Sequence, residues 1–268
     1  MTVEDPSKHV LGRIAITLSE RRAAELEVAG EIAALIGARA AEGRRTVLGL
    51  PTGGTPVGVY RELVRRHREE GLSFRHVVTF DLDEFCGLAP DHPASFARSM
   101  REQLFQHVDL APGHVHFPDG RATDVERHCR EYEAAIAAAG GIDLQLLGLG
   151  RNGHIAFNEP GASSDCRTRR VALDPSTLED ARAAFEGLGP VPTHALTMGV
   201  GTILEARRIR VLAFGAPKAP AVARALEGPV GPQTPASFLR AHPDVAFWID
   251  RPAASRLVAL ELSGSESA

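Results

Sequence analysis

The sequence predicts an α/β protein in which helices cover both faces of a doubly wound, mostly parallel sheet, with a lid segment at one edge. Short apolar runs alternate along the chain with longer amphipathic runs, which is the pattern of strand–helix–strand units. No linker rich in Ser, Pro or Gly interrupts this alternation, so we expect one domain over residues 1–268. Polar residues cluster where predicted strands end, and open α/β sheets bind ligands at that edge.

Amphipathic runs predict the helices, and apolar runs predict the strands. The first helix covers 22–43, because its apolar positions repeat at helical spacing and Gly43 ends it. The other helices are predicted at 57–71, 95–108 and 124–140, and the strands at 46–50, 76–82, 114–117, 144–150, 208–215 and 244–250. The tail at 262–268 is predicted to fray.

The segment 161–193 breaks the alternation. It is polar, contains four arginines and shows only a brief helical stretch near 176–186. Long irregular segments in compact domains are usually functional lids or disordered insertions. Its position directly after the loop 153–160 favours a lid, while a solvated excursion remains the alternative.

Composition narrows the classes of partner. The formal net charge of the 268-residue chain is -4, so no overall basic field exists to attract nucleic acid or an anionic membrane. Cys86, Cys129 and Cys166 form no CxxC pair or disulfide framework, which favours a reducing, cytoplasmic location. We expect neither a signal peptide nor a membrane anchor, because no apolar run reaches the roughly 20 residues of a membrane span.

The segment 48–60, LGLPTGGTPVGVY, predicts a strand, a glycine turn and the start of a helix. Gly53 and Gly54 permit positive φ and close approach of the backbone, and Thr52 or Thr55 can cap the helix. N–H groups at a helix N-terminus bind anions, most often phosphate. A plain tight turn also needs glycine, but the two flanking threonines favour a phosphate site.

Acidic residues close the strand 76–82, in TFDLDEF. Asp81 and Asp83 are two positions apart, so they share a strand face and can point together while Glu84 points away. If strand pairing stops near Asp81, Asp83 stands on a loop at the carboxyl edge of the sheet. The cluster is compatible with acid–base chemistry, with Mg²⁺ binding, or with simple loop solvation and capping.

The segment GHIAFNEP at 153–160 places His154 and Glu159 on one compact loop. The unperturbed pKa of an imidazole lies nearest to neutrality, and a carboxylate beside it can fix its tautomer and raise its basicity. A lone histidine is more often structural than catalytic. The neighbours of this one, Asn152 and Gly153 among them, favour an acid–base role.

Other chemical motifs fail or are absent. GLGRNG at 148–153 matches GxGxxG, but Pro160 ends any helix before it forms, so we reject a dinucleotide site. The Walker, HExxH and GxSxG patterns do not occur. Two cations remain as candidate phosphate ligands: Lys218 after a predicted strand and Arg182 in the polar segment.

Several segments together resemble the glucosamine-6-phosphate deaminases: LGLPTGGTP, VVTFDLDEFCGL followed by HPASF, GLGRNGHIAFNEPG with CRTRR, and HALTMGVGTIL. The resemblance runs in order from about Val47 to Trp248. GHIAFNEP distinguishes these enzymes from the related 6-phosphogluconolactonases, which share the sheet. The resemblance implies a doubly wound α/β fold, no metal, no organic cofactor, and a sugar phosphate as the small-molecule partner.

The reaction implied by this resemblance converts glucosamine 6-phosphate and water to fructose 6-phosphate and ammonia. Carried over by motif, Asp83 takes the C2 proton and returns it at C1, while His154, oriented by Glu159, promotes opening of the pyranose ring. Asn152 stands where some members carry aspartate, so it cannot act as an ionised partner. The phosphate-binding positions match Thr52, Gly53, Gly54, Thr55, Arg182 and Lys218.

Regulation and rival functions follow from the same comparison of motifs. Members activated by an acetylated amino-sugar phosphate carry basic residues after the active loop and an aromatic residue near the C-terminus. Here Arg169 matches, but Val171 replaces a lysine and no aromatic residue follows Leu257, so we expect weak or absent activation. The family contains monomers and hexamers, so a homo-oligomer is compatible with the sequence. The rival functions are a lactonase on the same scaffold and a sugar-phosphate sensor without catalysis.

Overall fold

The computed structural model describes residues 7–258, so the predicted frayed tail lies outside the described residues. Within that range the strands are β1 (Lys8–Leu11), β2 (Ile14–Leu18), β3 (Thr46–Leu50), β4 (Val77–Asp81), β5 (Asp83–Phe85), β6 (Val115–His116), β7 (Leu144–Gly148), β8 (Arg169–Ala172), β9 (His194–Thr197), β10 (Ile209–Ala213) and β11 (Val245–Ile249). The α-helices are α1 (Arg21–Ala41), α2 (Val57–Glu70), α3 (Phe96–Gln103), α4 (Val125–Ala138), α5 (Pro175–Ala181), α6 (Val200–Leu204), α7 (Ala219–Leu226) and α8 (Arg251–Ala254). No helix in the described range is long and apolar enough to cross a membrane.

Eight strands form the central sheet, in the order β1–β2–β11–β10–β7–β3–β4–β6. β1 pairs antiparallel with β2, and the other pairs of this sheet are parallel. From β3 the chain moves outwards through β4 to β6, then returns to β7 and moves through β10 and β11 in the opposite direction. The strand order therefore reverses between β3 and β7.

Helices cover both faces of this sheet. One buried apolar cluster joins the sheet to α1, α2 and α3 through residues such as Val28, Leu63 and Met100. A second cluster, on the opposite face, includes Ile136 of α4 and Val222 of α7. Strands that are buried on both faces need near-continuous apolar residues, as in the five buried positions of β3, β10 and β11. The predicted doubly wound α/β fold is confirmed.

The predicted helices and strands are present, but the sequence analysis missed an N-terminal hairpin, β1–β2. Gly12, with a φ of 63°, forms its turn. The hairpin was missed because β1 has no continuous apolar run. Its exposed positions alternate with less exposed ones, since one face of β1 meets solvent. Its second strand extends the parallel sheet beside β11.

A smaller antiparallel sheet, in the order β5–β9–β8, lies beside the carboxyl edge of the central sheet. The brief helix predicted near 176–186 is confirmed as α5 followed by a 3₁₀ turn at 182–185. The expectation that the rest of 161–193 is irregular is wrong, because β8 lies within it. β8 contains two arginines and no apolar run, and it is a strand because it pairs with β9. The segment packs against Phe85 and Phe157 through Leu173 and Phe185.

Candidate active site

A cavity of about 260 Å³ lies at the carboxyl ends of β3, β4, β7 and β10. The strand order reverses at this place, and open α/β sheets bind ligands at such a reversal. Residues predicted for the site line this cavity: Thr52, Gly53, Gly54, Thr55, Asp83, His154 and Lys218. The segment carrying α5 adds Thr177 and Asp180, which the sequence analysis did not identify.

The glycine turn after β3 offers backbone donors to the cavity. Gly53 has a φ of 91°, in the left-handed region that glycine adopts without strain. Among the described residues, no backbone carbonyl accepts a hydrogen bond from the amides of residues 52–55. Pro56 precedes α2 and no side chain caps this helix, so the prediction that a threonine caps it is wrong. The turn and the helix N-terminus can therefore donate to an anion.

Lys218 reaches the same cavity from the 3₁₀ turn that follows β10. Burial lowers the pKa of its ammonium group, and the charge of Arg151 acts in the same direction, while Asp180 opposes both. A partly desolvated cation interacts more strongly with an anion than a fully hydrated one does, because the local dielectric constant is lower. Lys218 and the glycine turn together can hold a phosphate.

Arg182, the other predicted phosphate ligand, does not line the cavity. Its side chain is 72% exposed and pairs with Glu179 at 2.9 Å, one turn earlier. The structure therefore does not bring Arg182 together with the glycine turn and Lys218. Arg151 contacts a cavity residue of this segment, because its Nε lies 3.0 Å from Asp180 Oδ2.

Asp83 occupies the junction between the two sheets. The N–H of Leu82 donates to Leu50 in the central sheet, and its C=O accepts from Met198 next to the second sheet. Asp83 is then the first residue of β5 and pairs with Thr197, so the prediction that it stands on a loop is wrong. The prediction that it lies at the carboxyl edge of the sheet is correct.

The environment of Asp83 favours a neutral carboxyl group. Burial, and then the negative charge of Glu84, raise the pKa of Asp83 to about 8. The Glu84 carboxylate accepts hydrogen bonds from the Ser95 hydroxyl at 2.7 Å and the Ala97 N–H at 3.0 Å, at the start of α3. A carboxyl group that titrates near the working pH can both take and return a proton.

Asp81, expected from its spacing to point the same way as Asp83, does not line the cavity. It is buried, and among the described residues its carboxyl oxygens have no hydrogen-bond partner. Burial raises its pKa far above the usual value, with Asp83 and Glu84 adding to the effect. In the part of the chain that the structure describes, no group of three or more His, Cys, Asp or Glu side chains could hold a metal ion.

The loop after β7 fixes the imidazole of His154. A side chain at Gly150 would fall 2.4 Å from three ring atoms, so the ring packs directly on the backbone. Nδ1 lies 3.2 Å from Glu159 Oε2, and the amide of Asn152 donates to the same oxygen at 2.8 Å. Asn152 Oδ1 also accepts from the His154 N–H at 3.1 Å. Asn152 and Glu159 therefore support the histidine from behind the cavity and do not line it.

The Glu159 carboxylate determines which nitrogen of His154 carries the proton. Burial alone would raise the pKa of Glu159, but its interactions with His154 and its hydrogen bonds with Thr177 and Asn152 together outweigh burial and hold the pKa below the usual value. An ionised carboxylate only accepts hydrogen bonds, so Nδ1 must donate to it. Nε2 then has the lone pair of the neutral ring, and among the described residues no protein group bonds to it.

Comparison with known proteins gives a consistent result. Residues 19–248 match the family model described as glucosamine-6-phosphate isomerases/6-phosphogluconolactonase. The glucosamine-6-phosphate deaminase of Rhodopirellula baltica is 52% identical over 212 residues, which are 79% of this chain and 84% of that protein. The deaminase of Bacillus velezensis is 46% identical over 228 residues, which are 85% and 95% of the two chains.

Solved structures agree in fold. A monomeric glucosamine-6-phosphate deaminase superimposes with a TM-score of 0.86 at 43% identity, covering 90% of this chain and 99% of that one. The 6-phosphogluconolactonase of Trypanosoma brucei superimposes with a TM-score of 0.70 at 25% identity, covering 91% and 98%.

Proposed function

Because the chain belongs to the glucosamine-6-phosphate isomerase/6-phosphogluconolactonase family, we propose that it converts glucosamine 6-phosphate and water to fructose 6-phosphate and ammonia. The observation that carries the proposal is one cavity that contains a phosphate cradle, a buried carboxyl group and an oriented imidazole. Sugar-phosphate binding alone requires only the cradle. The other two groups are those that ring opening and proton transfer need.

Phosphate is held at residues 52–55 and by Lys218. The N–H groups of the turn and the positive end of α2 stabilise the dianion, and the ammonium group adds a point charge. Binding a group remote from the reacting carbons supplies orientation, which lowers the entropy cost of the chemical step. Arg182 takes part only if its side chain leaves Glu179.

His154 opens the pyranose ring. With Nδ1 donating to Glu159, Nε2 takes the proton of the C1 hydroxyl and delivers it to the ring oxygen, which yields the open-chain aldehyde. Glu159 stabilises the transient imidazolium, as an ionised carboxylate beside a histidine does. Asn152 keeps Glu159 in place and carries no charge of its own.

Asp83 then moves a proton between carbons. Its carboxylate removes the C2 proton beside the aldehyde while the amino group gives a proton to the aldehyde oxygen, which forms an enol-amine, and the carboxyl then returns its proton to C1. The C2 imine that results adds water and releases ammonia, which leaves the C2 ketone of fructose 6-phosphate. Since burial raises the pKa of Asp83 to about 8, the carboxyl is a stronger base than an ordinary aspartate.

An assay of the purified protein with glucosamine 6-phosphate tests this function. We expect ammonia and fructose 6-phosphate in equal amounts. The same protein is offered 6-phosphogluconolactone as the control substrate, and we expect no hydrolysis above the spontaneous rate. Lactone hydrolysis without ammonia would favour the rival lactonase, and binding of both sugars without turnover would favour a sensor. A cytoplasmic location remains a prediction from the unpaired cysteines.

A further inference from the structure

The polar contacts behind His154 come partly from α5, which belongs to a different segment from the active loop. Thr177 is 5% exposed, lines the cavity and places its hydroxyl oxygen 3.4 Å from His154 Nδ1. One residue earlier, Ser176 Oγ accepts from the amide of Asn152 at 3.3 Å. The N–H of Asp174 donates to Glu159 Oε1 at 3.3 Å. The first turn of α5 thus contacts each polar residue that supports the imidazole.

A single hydrogen bond does not fix an imidazole ring. Rotation about the bond between Cβ and the ring is broad, so the ring plane needs a second constraint near Nδ1. Gly150 restricts the ring where its backbone packs against Cδ2, Cε1 and Nε2, and not at Nδ1. The Thr177 hydroxyl supplies a contact at the Nδ1 edge, and its interaction with Glu159 contributes to the low pKa of that carboxyl.

We propose that Thr177 is a positioning residue for His154: its hydroxyl, carried by α5, holds the Nδ1 edge of the ring and the Glu159 carboxylate so that Nε2 faces the sugar. The proposal rests on the function proposed above and adds a role for the segment carrying α5. Because α5 carries part of the support for the imidazole, the position of this helix affects the orientation of His154.

Substitution at Thr177 separates the hydroxyl from the packing of the side chain. Thr177→Val keeps the shape and removes the hydroxyl, whereas Thr177→Ser keeps the hydroxyl and removes a methyl group. We expect kcat to fall about 10- to 100-fold in Thr177→Val, with KM within about threefold of wild type, because general acid–base steps contribute on the order of 10²–10⁴. Thr177→Ser should recover most of the lost kcat.

The chain offers a matched control. Thr193, at the other end of the same segment, also places its hydroxyl 3.0 Å from a histidine Nδ1, that of His194. This pair is outside the cavity. Thr193→Val therefore removes the same type of contact and should leave kcat and KM unchanged.

A spectroscopic measurement reports on the ring without requiring turnover. In ¹⁵N-histidine-labelled protein, we expect the His154 ring of wild type and Thr177→Ser to show a sharp signal from a protonated Nδ1 at pH 8, and Thr177→Val to show a broadened signal, because its ring is less restrained. Equal ring spectra and equal kcat in wild type and Thr177→Val would overturn the proposal. Equal losses of kcat in Thr177→Val and Thr177→Ser would also overturn it, because packing would then explain both. If wild type released no ammonia, the proposed function would fail, while the ring spectra would still decide the role of Thr177.

Discussion

At the scale of single residues, the site depends on a contrast between two carboxyl groups. The hydrogen-bonding groups around Glu159 lower its pKa and keep it ionised. Burial beside another acid raises the pKa of Asp83 and favours its uncharged form. Groups whose environments move their pKa values apart can serve as separate acid–base partners in one reaction. The sequence showed that both carboxyls exist, but burial decides the role of Asp83 and hydrogen-bonding partners decide that of Glu159, and both are properties of the fold.

The raised pKa of Asp83 has a consequence for stability. In the unfolded chain the carboxyl titrates near pH 3.9, and in the folded protein it titrates at about 8. Between these values the folded state binds the proton more tightly. The stability contributed by Asp83 is therefore complete below about pH 4 and is lost as the pH rises through 8.

Asp83→Asn should remove this loss, because asparagine does not ionise. At pH 8 the free energy of unfolding of the variant should exceed that of wild type by about 1 kcal/mol or more, since one pKa unit corresponds to about 1.4 kcal/mol. Near pH 4 the gain should disappear. Urea denaturation of both proteins at the two pH values measures the difference in their free energies of unfolding. A difference that does not change with pH would show that Asp83 has an ordinary pKa in the folded protein.

Substitutions of the two candidate phosphate-binding cations should differ in their effect on KM. Lys218→Ala should raise KM for glucosamine 6-phosphate by about 10- to 100-fold, because a charge-assisted contact contributes about 1.5–3 kcal/mol. Arg182→Ala should change KM less than threefold, since Arg182 lies outside the cavity and pairs with Glu179. Steady-state kinetics of the two variants provide the comparison. A larger effect from Arg182 than from Lys218 would mean that the segment carrying α5 rearranges when substrate binds.

At the scale of elements, the loop after β7 brings the backbone of Gly150 into close contact with the imidazole ring of His154. Gly150→Ala should displace the imidazole, because the added carbon would fall within 2.4 Å of it. We expect kcat to fall at least about tenfold with little change in the free energy of unfolding. Gly37→Ala is the control, because Gly37 lies in α1 with nothing within 4 Å of the added carbon. Normal kcat in Gly150→Ala would show that the ring tolerates a shift.

Sequence periodicity predicted the elements whose own residues determine their structure. β3, β10 and β11 are buried along their whole length, and α4 carries a regular apolar stripe, so each could be recognised locally. β8 could not, because it begins with two consecutive arginines, has no apolar run and is a strand only by pairing with β9. The Thr177 contact was missed for the same reason, because Thr177 lies 23 positions after His154 and no motif links the two residues.

At the scale of the whole molecule, the topology explains why distant motifs meet. The chain leaves β3 in one direction and β7 in the other, so the loops after these two neighbouring strands border the same crevice. The predicted order of strands and helices was sufficient to place residues 52–55 and His154 at this edge. It was not sufficient to place Arg182, whose position depends on how the segment carrying α5 folds back.

Regulation is also a property of the whole molecule. Arg169 donates to Asn158 Oδ1 at 2.9 Å, and Asn158 is a buried residue of the loop 153–160, so this arginine already has a structural role. With Val171 in place of a second cation, we expect N-acetylglucosamine 6-phosphate to shift the curve of rate against substrate only weakly or not at all. A clear shift of that curve towards lower substrate concentration would contradict this expectation.

The most direct test of the account compares wild type with Asp83→Asn on glucosamine 6-phosphate, measuring ammonia, fructose 6-phosphate and substrate affinity together. The account predicts that the variant binds substrate within about threefold of wild type but forms both products about 10²- to 10⁴-fold more slowly, because the proton carrier is lost while the phosphate cradle is intact. Turnover close to wild type in Asp83→Asn would contradict the assignment of Asp83 as the group that moves the C2 proton.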